Sequence, residues 1–422
     1  MTQGRIDMCL ASVLFYPTFT GAGLRFQRYA PGLRARGIDT RVFAGPTQEN
    51  QKSGSLPENV LRSGTLLPIE QINGLPIQRV QLSQNSSFSR DVQYVRALLR
   101  YCHCQETRPD LIHLITASQY WLPYFFLFRR WGVPIVQSHT LLSALSSESW
   151  KRLLQRLFWR KLPFQLADCV VTGSVVGRDS LRNIGVSTRL EVIPNGVDLN
   201  RFQPVASHLA QKSLRRRLGL DPNGELLLFV GTLTERKGVD VLVDAWGLIA
   251  QKRPRAYLVL VGPTAEELRP EMRSTDFKTR IETAIASSGA VDRVITTGQV
   301  ENVEDYLQAA DVFVFPSRRE GMPNVVLEAM ACGLPCILTP FLGLPAEFGN
   351  PGEHYMLVER ISEALAQATI TLLENPQRMQ QLGCQSLKWI EMHADIECSL
   401  DQYANLYREL VDRSRKRKQR AW

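Results

Sequence analysis

Short apolar runs alternate with segments of helical periodicity along the whole chain. The runs of the first half predict strands at 9–16, 40–45, 77–82, 110–115, 134–140 and 169–174. The runs of the second half predict strands at 226–231, 257–262, 294–298, 312–317 and 335–340. Strands that alternate with helices in this way are typical of β-α-β units and parallel sheets. We therefore expect an α/β protein.

Polar segments divide this pattern. Residues 46–76 are rich in Gln, Ser, Asn, Gly and Pro and predict a long irregular insertion. Pro31 should interrupt the helix after the first strand, because proline lacks an N–H donor. Turn residues at 194–196 precede a stretch that stays polar until Leu226, which suggests a domain boundary. The chain of 422 residues suits two domains of roughly 200 residues each. We expect them at 1–195 and 196–395, followed by a C-terminal helix and basic tail at 396–422.

Composition indicates a globular protein, with 44% hydrophobic and 22% charged residues. No apolar run reaches the roughly 18–20 residues that span a bilayer. The apolar N-terminus is interrupted by Arg5 and Asp7 and lacks a signal-peptide pattern. The eight cysteines are scattered and predict reduced thiols. We expect a cytoplasmic protein, with a peripheral position on the inner face of the membrane as the alternative.

The net charge of +9 is concentrated at the C-terminus. Residues 413–420 carry six of these positive charges, which suits an anionic membrane, a nucleic acid or simple solvation. No nucleic-acid-binding motif is present, so we expect no nucleic-acid partner. Residues 150–162 form a basic amphipathic pattern. That pattern fits either a membrane-surface helix or a core-packed helix with a solvated basic face.

Two glutamates stand eight residues apart in "PSRREGMPNVVLEAMACGLP", residues 316–335. Pro323 suits the first position of a helix, because its φ is preset and it has no N–H to lose. Glu320 would then face the helix N-terminus, and Glu328 would lie about one turn inside. The free N–H groups and the dipole of a first turn attract anions. Two hydroxyl acceptors beside a phosphate cradle predict a site for a sugar joined to phosphate.

Two cations follow the strand at 226–231. Arg236 and Lys237 precede Gly238 and a predicted helix, so they would lie at the carboxyl end of a parallel strand, where a diphosphate could bind. A solvated charge pair is the alternative, but Glu320 and Glu328 follow a strand of the same predicted sheet, which favours the phosphate site.

The remaining signals are weaker. Gly21 and Gly23 follow the first strand, but Phe26 stands where a dinucleotide fingerprint needs a third glycine. A glycine turn there could bring backbone N–H groups to phosphate or sugar. His139 ends a predicted strand, and we assign His113 a structural role. The chain has no D-x-D pair and no zinc spacing, so we expect neither a metal nor a cofactor.

These motifs resemble the retaining glycosyltransferases of family 4, which have the GT-B fold. The similarity is specific in "VGTLTERKG", in "VFVFPSRREGMPNVVLEAMACGLPCI" and in the interdomain "VIPNGVD". It is looser around Gly21 and His139. The resemblance implies two Rossmann-like, doubly wound parallel-sheet domains that face each other across a cleft. The first would bind the acceptor and the second a nucleotide sugar.

The resemblance also implies three catalytic residues. Glu320 would contact hydroxyls of the transferred sugar, and His139 would approach that sugar from the first domain. Lys237 would help to neutralise the diphosphate.

The implied donor-binding residues are Gly21, Gly23, Thr232, Arg236, Lys237, Gly298, Met322, Asn324, Val325 and Glu328. Glu328 would accept hydrogen bonds from the ribose, and Gly298 would begin a segment that lies against the nucleobase. Many relatives have Arg where this chain has Thr232, so one phosphate contact is missing.

We therefore expect a metal-independent hexosyltransferase with a UDP- or GDP-sugar donor and a glycan or lipid-linked acceptor, acting with retention of anomeric configuration. A glycosidase needs both of its carboxyl groups at one glycosidic bond. It is disfavoured here, because Glu328 is expected to point to the ribose. A nucleotide-sugar 2-epimerase of the same fold, a nonenzymatic binding protein and a membrane-surface scaffold remain as alternatives.

Overall fold

The apolar runs form two β-sheets in the computed structural model of the protein, one in each half of the chain. The structure describes residues 4–16, 21–47, 64–82, 87–104, 106, 108–115, 122–139, 161–268, 275–341, 344 and 348–420. Two compact units comprise residues 1–194 with 397–422, and residues 195–396. The amphipathic segment 150–162 lies outside the described residues except for its last two.

The first sheet has eight strands in the order β3-β4-β2-β1-β5-β6-β7-β8. Their bounds are β1 Ile6–Ser12, β2 Ile38–Ala44, β3 Glu70–Ile72, β4 Leu75–Arg79, β5 Leu111–Leu114, β6 Ile135–His139, β7 Cys169–Thr172 and β8 Leu190–Val192. The helices between them are α1 Gly21–Ala35, α2 Ser87–His103, α3 Leu122–Arg130 and α4 Val175–Asn183. All neighbouring strands are parallel except β3 and β4. The central strands are buried on both faces, which explains their continuous apolar runs.

Helix α1 continues through Pro31, so the predicted interruption is wrong. Pro31 lies on the exposed side of the helix. There, the carbonyl that loses its hydrogen-bond donor can bond to water.

The end of the predicted irregular insertion is a hairpin. Strands β3 and β4 pair antiparallel around Asn73 and Gly74, whose φ angles are 53° and 74°. Asn-Gly is the preferred sequence of such a turn, because both positions need positive φ. The prediction for 46–76 is therefore wrong at 70–76, while 48–63 lie outside the described residues.

The second sheet has six parallel strands in the order β11-β10-β9-β12-β13-β14. Their bounds are β9 Glu225–Val230, β10 Ala256–Val261, β11 Val294–Gly298, β12 Val312–Phe315, β13 Cys336–Leu338 and β14 Met356–Leu357. The helices of this unit are α5 His208–Arg217, α6 Val239–Lys252, α7 Ala265–Leu268, α8 Thr275–Ser287, α9 Val303–Ala309, α10 Asn324–Ala331, α11 Ser362–Leu373 and α12 Pro376–His393. Helix α5 lies in the stretch that the sequence indicated only as polar.

The last helix, α13 (Ile396–Arg420), packs on the first unit. Arg36 forms ion pairs with Glu397 at 2.7 Å and Asp401 at 2.6 Å. The hydroxyl of Tyr407 lies 2.6 Å from Nδ1 of the buried His113. The structural role predicted for His113 is confirmed, since both ring nitrogens have hydrogen-bond partners within the core.

Candidate active site

The candidate site is built on two adjacent loops at the carboxyl ends of β9 and β12. The loop after β9 contains a 3-10 turn at Glu235–Lys237 that ends at Gly238, with φ 73°. A Cβ atom on Gly238 would lie 2.0 Å from the carbonyl oxygen of Pro316. Glycine therefore lets this turn pack against the backbone of the loop after β12.

Glu320 is the centre of the site. Its side chain is 9% exposed, and three donors reach its Oε1 atom. Lys237 Nζ lies at 2.7 Å, Arg236 Nη1 at 3.0 Å and Ser317 Oγ at 2.7 Å. Since these contacts all go to Oε1, Oε2 takes part in none of them. The fold thus brings together Arg236, Lys237 and Glu320, which belong to two separate motifs in the sequence.

Lys237 is largely buried. Its side chain is 13% exposed, and its ammonium lies 5.1 Å from the centre of the Phe315 ring. Burial lowers the pKa of Lys237 and the Glu320 carboxylate raises it, with the net pKa below that of an ordinary lysine. The Glu320 carboxylate therefore favours the charged form of Lys237.

Helix α10 begins at Asn324, one residue later than the sequence predicted. Pro323 is the N-cap and has an extended backbone, with ψ 108°. The Asn195 side chain fixes this geometry, because its Nδ2 atom donates to Asn324 Oδ1 at 2.6 Å and to the Met322 carbonyl at 3.1 Å. Glu328 is the fifth residue of the helix, and its side chain is buried.

Asn195 was not predicted as a site residue. Its motif was interpreted only as turn chemistry between domains, and it contacts a residue 129 positions away in the chain. The only indication in the sequence was that Asn195 lies in "VIPNGVD", one of the motifs that resemble family 4.

A second unpredicted contact ties the two site loops together. Arg318 forms two hydrogen bonds with Asp240, at 2.8 and 2.7 Å, and its backbone N–H donates to the Arg236 carbonyl at 2.9 Å. Asp240 is only 2% exposed. Burial raises the pKa of Asp240, but the Arg318 guanidinium outweighs this effect and the net pKa lies below its usual range. Asp240 is therefore an ionised anchor for Arg318.

We expect Arg318→Lys to raise the KM for the donor about tenfold and to lower the melting temperature, because lysine cannot form the bidentate pair. Steady-state kinetics and thermal unfolding measure both effects. The matched control is Arg280→Lys, since Arg280 is 54% exposed and lies 3.6 Å from the same carboxylate. Equal effects of the two variants would contradict the anchoring role.

The other predicted donor-binding residues lie at strand or helix ends. Gly298 ends β11 with φ 67°, and its carbonyl accepts from the Gly262 N–H at 2.8 Å. Thr232 follows β9, and Val325 lies in the first turn of α10. Gly21 and Gly23 both lie in the first turn of α1. The sequence had suggested a glycine turn before the helix, but both glycines belong to the helix itself.

His139 is the last residue of β6 in the first unit. Its ring packs edge-on against Phe164, with 5.4 Å between ring centres. Burial lowers the pKa of His139 to about 4, so the imidazole is neutral at pH 7. A neutral ring can donate one hydrogen bond and accept another.

This shift predicts how stability depends on pH. The folded pKa of about 4 lies below the unfolded value of 6.5, so the unfolded chain binds the proton more tightly. We expect the free energy of unfolding to fall by roughly 3 kcal/mol as pH decreases from 6.5 to 4. Urea titrations of wild type and His139→Gln isolate this contribution, and a variant with the same pH slope would contradict it.

Within the described residues, no group of three or more His, Cys, Asp or Glu side chains is placed to hold a metal ion. No described helix combines the length and apolar content needed to span a bilayer.

Two family models match the chain. "Glycosyl transferase 4-like domain" matches residues 20–196, and "Glycosyl transferases group 1" matches residues 224–375. The chain therefore matches two glycosyl transferase domain families, one in each half of the chain. The D-inositol 3-phosphate glycosyltransferase of Kineococcus radiotolerans is 26% identical over 92% of this chain and 90% of that protein. That of Streptosporangium roseum is 32% identical over 56% of this chain and 55% of that protein.

The chain spans 41–55% of the length of the first three curated relatives that it matches. Solved structures extend the comparison to the whole fold. Sucrose-phosphate synthase from Thermosynechococcus elongatus has a TM-score of 0.77 at 24% identity, covering 97% of this chain and 100% of that one. HepE from Anabaena, solved with UDP-glucose, has a TM-score of 0.70 at 20% identity, covering 95% and 99%. The chain therefore has the GT-B fold.

Proposed function

We propose that this protein transfers a hexosyl group from a nucleoside-diphosphate sugar to an acceptor hydroxyl, with retention of configuration and without a metal ion. The observation that carries the proposal is the convergence of Lys237 and Arg236 on Glu320 at the carboxyl ends of β9 and β12. Cations and a sugar-binding carboxylate are needed together where a sugar is joined to a diphosphate.

The chemistry requires charge stabilisation on the leaving group. Breaking the bond between the anomeric carbon and the phosphate oxygen leaves negative charge on the nucleoside diphosphate, while the acceptor hydroxyl adds to that carbon and its proton passes to the departing phosphate. Fixed cations and helix N-terminal N–H groups stabilise such charge as it develops. In this proposal Lys237 and Arg236 supply the cations and the first turn of α10 supplies the N–H groups.

Glu320 has two roles in the proposal. Its Oε1 atom orients the two cations and favours the charged form of Lys237. Its Oε2 atom accepts hydrogen bonds from hydroxyls of the transferred sugar. Glu328 accepts from the ribose, and the backbone from Met322 to Val325 completes the cradle that Asn195 holds in place.

The donor class is proposed as UDP- or GDP-sugar, with UDP tested first because the structural neighbour HepE was solved with UDP-glucose. The acceptor is proposed to be a glycan or a lipid-linked glycan. D-inositol 3-phosphate enters the acceptor panel because several relatives are named D-inositol 3-phosphate glycosyltransferase.

A transfer assay tests the proposal. The protein is incubated with each donor and an acceptor panel without added metal, and nucleoside diphosphate release and the anomeric proton signal of the product are followed. A new glycoside with the anomeric configuration of the donor supports the proposal. Turnover that yields an epimerised sugar without acceptor would instead establish the epimerase alternative.

A further inference from the structure

Helix α3 of the first unit turns an apolar surface away from the core. Phe125 and Phe128 are buried, three residues apart, as expected for the inward face of a helix. Phe126 is 60% exposed and Leu127 38% exposed between them. Single exposed apolar side chains are common on protein surfaces, so this observation alone indicates no partner.

Positive charge lies directly beside these two exposed apolar residues. Arg129 and Arg130 follow on the last turn of α3 and are both exposed. Residues three and four apart share one side of a helix, so both arginines lie next to Phe126. Neither arginine has an ion-pair partner among the described residues.

The C-terminal helix brings further positive charge to the same place. Ser414 Oγ donates to the carbonyl of Gly132 at 2.6 Å, two residues beyond the end of α3. The Lys418 side chain packs over Gly132, where a Cβ atom would lie 1.9 Å from its Cε. Arg417 is exposed three residues after Ser414, on the same side of α13. The basic tail therefore continues the charge of α3 instead of standing apart from it.

We propose that Phe126, Leu127, Arg129, Arg130, Arg417 and Lys418 form one surface that binds an anionic phospholipid bilayer. We call it the α3–α13 surface. Its cations are attracted to anionic headgroups over about one Debye length. Its exposed phenyl and isobutyl groups enter the interface between headgroups and acyl chains, where burial of apolar area adds to binding. A nucleic acid would bind the cations, but it would not bury the apolar side chain of Leu127.

The surface is separated from the predicted sugar-site residue of the same unit. Helix α3 and Gly132 lead into the amino end of β6 at Ile135, whereas His139 lies at the carboxyl end of that strand. Changes to the surface should therefore leave catalysis on a water-soluble acceptor intact. The proposal does not rest on the transferase activity, because vesicle binding needs no turnover.

Cosedimentation of the full-length protein with vesicles tests the proposal. We expect binding to phosphatidylcholine vesicles that contain about one third phosphatidylglycerol, little binding to phosphatidylcholine alone, and weakening as salt is raised. Arg129→Ser with Arg130→Ser should reduce binding about tenfold or more. Phe126→Ser, which changes no charge, should reduce it about fivefold.

The matched control lies on α5 of the second unit, which has a similar composition. Leu209 is 78% exposed, and Arg216 and Arg217 are exposed at the helix end. Leu209→Ser with Arg216→Ser and Arg217→Ser should keep full vesicle binding. The proposal is overturned if the protein ignores anionic vesicles at low salt, or if the control variant loses as much binding. Full vesicle binding by Phe126→Ser would likewise contradict the proposal, because the apolar side chains would then not enter the bilayer.

Discussion

Replacing Glu320 with glutamine is expected to reduce kcat by about 100- to 1,000-fold. Glutamine keeps the size of the side chain and can still accept from Ser317, but it removes the negative charge between two cations. Without that charge, burial lowers the pKa of Lys237 further, so the ammonium is lost at a lower pH. The transition state then loses both the sugar contact and part of the positive charge. Transfer assays across a pH series measure both effects.

The pH profile distinguishes this account from a simple loss of packing. We expect the alkaline limb of kcat/KM to move to lower pH in Glu320→Gln. Glu235→Gln is the matched control, because Glu235 belongs to the same 3-10 turn and is exposed. A Glu320→Gln enzyme with a lower kcat but an unchanged alkaline limb would contradict the coupling of Glu320 to Lys237.

The second large effect is expected for Lys237→Met, which keeps an unbranched side chain and removes the ammonium. One charge-assisted hydrogen bond is worth about 1.5–3 kcal/mol, so kcat/KM should fall by roughly 10- to 150-fold. Nucleoside diphosphate should also become a weaker product inhibitor, because its terminal phosphate loses a partner. Initial-rate kinetics with and without added product measure both quantities.

Lys252→Met provides the control for Lys237→Met, since Lys252 is exposed at the end of α6. The double variant Glu320→Gln with Lys237→Met should lose less than the product of the two single effects, because the residues act as a pair. A Lys237→Met enzyme with normal product inhibition would contradict a diphosphate role for this side chain.

The sequence predicted most of the second sheet, because parallel strands buried on both faces appear as continuous apolar runs. Val312–Phe315 is such a run, although the strand ends two residues before the predicted end at Ser317. Strands β8 and β14 have only three and two residues, too few for a recognisable run. Pro31 shows the opposite failure. Proline usually interrupts a helix, but here it lies at an exposed position and the helix continues through it.

The candidate site was predictable where its residues follow strand ends directly, as Arg236, Lys237 and Glu320 do. The residues that position them were not. Asn195 contacts Asn324 across 129 residues, and Asp240 contacts Arg318 across 78 residues. Such pairs depend on the order of strands in the sheet, with β9 beside β12, and apolar runs do not reveal that order.

Calorimetric titration of wild type and Glu328→Ala with UDP-, GDP-, ADP- and dTDP-sugars, without added metal, tests the central claim most directly. Glu391→Ala is the control, because Glu391 is exposed on α12. The account predicts that one nucleotide binds to wild type and to Glu391→Ala, and that Glu328→Ala loses most of this affinity. No binding of any nucleotide sugar at millimolar concentration, or equal binding by Glu328→Ala, would contradict a donor site at the N-terminus of α10.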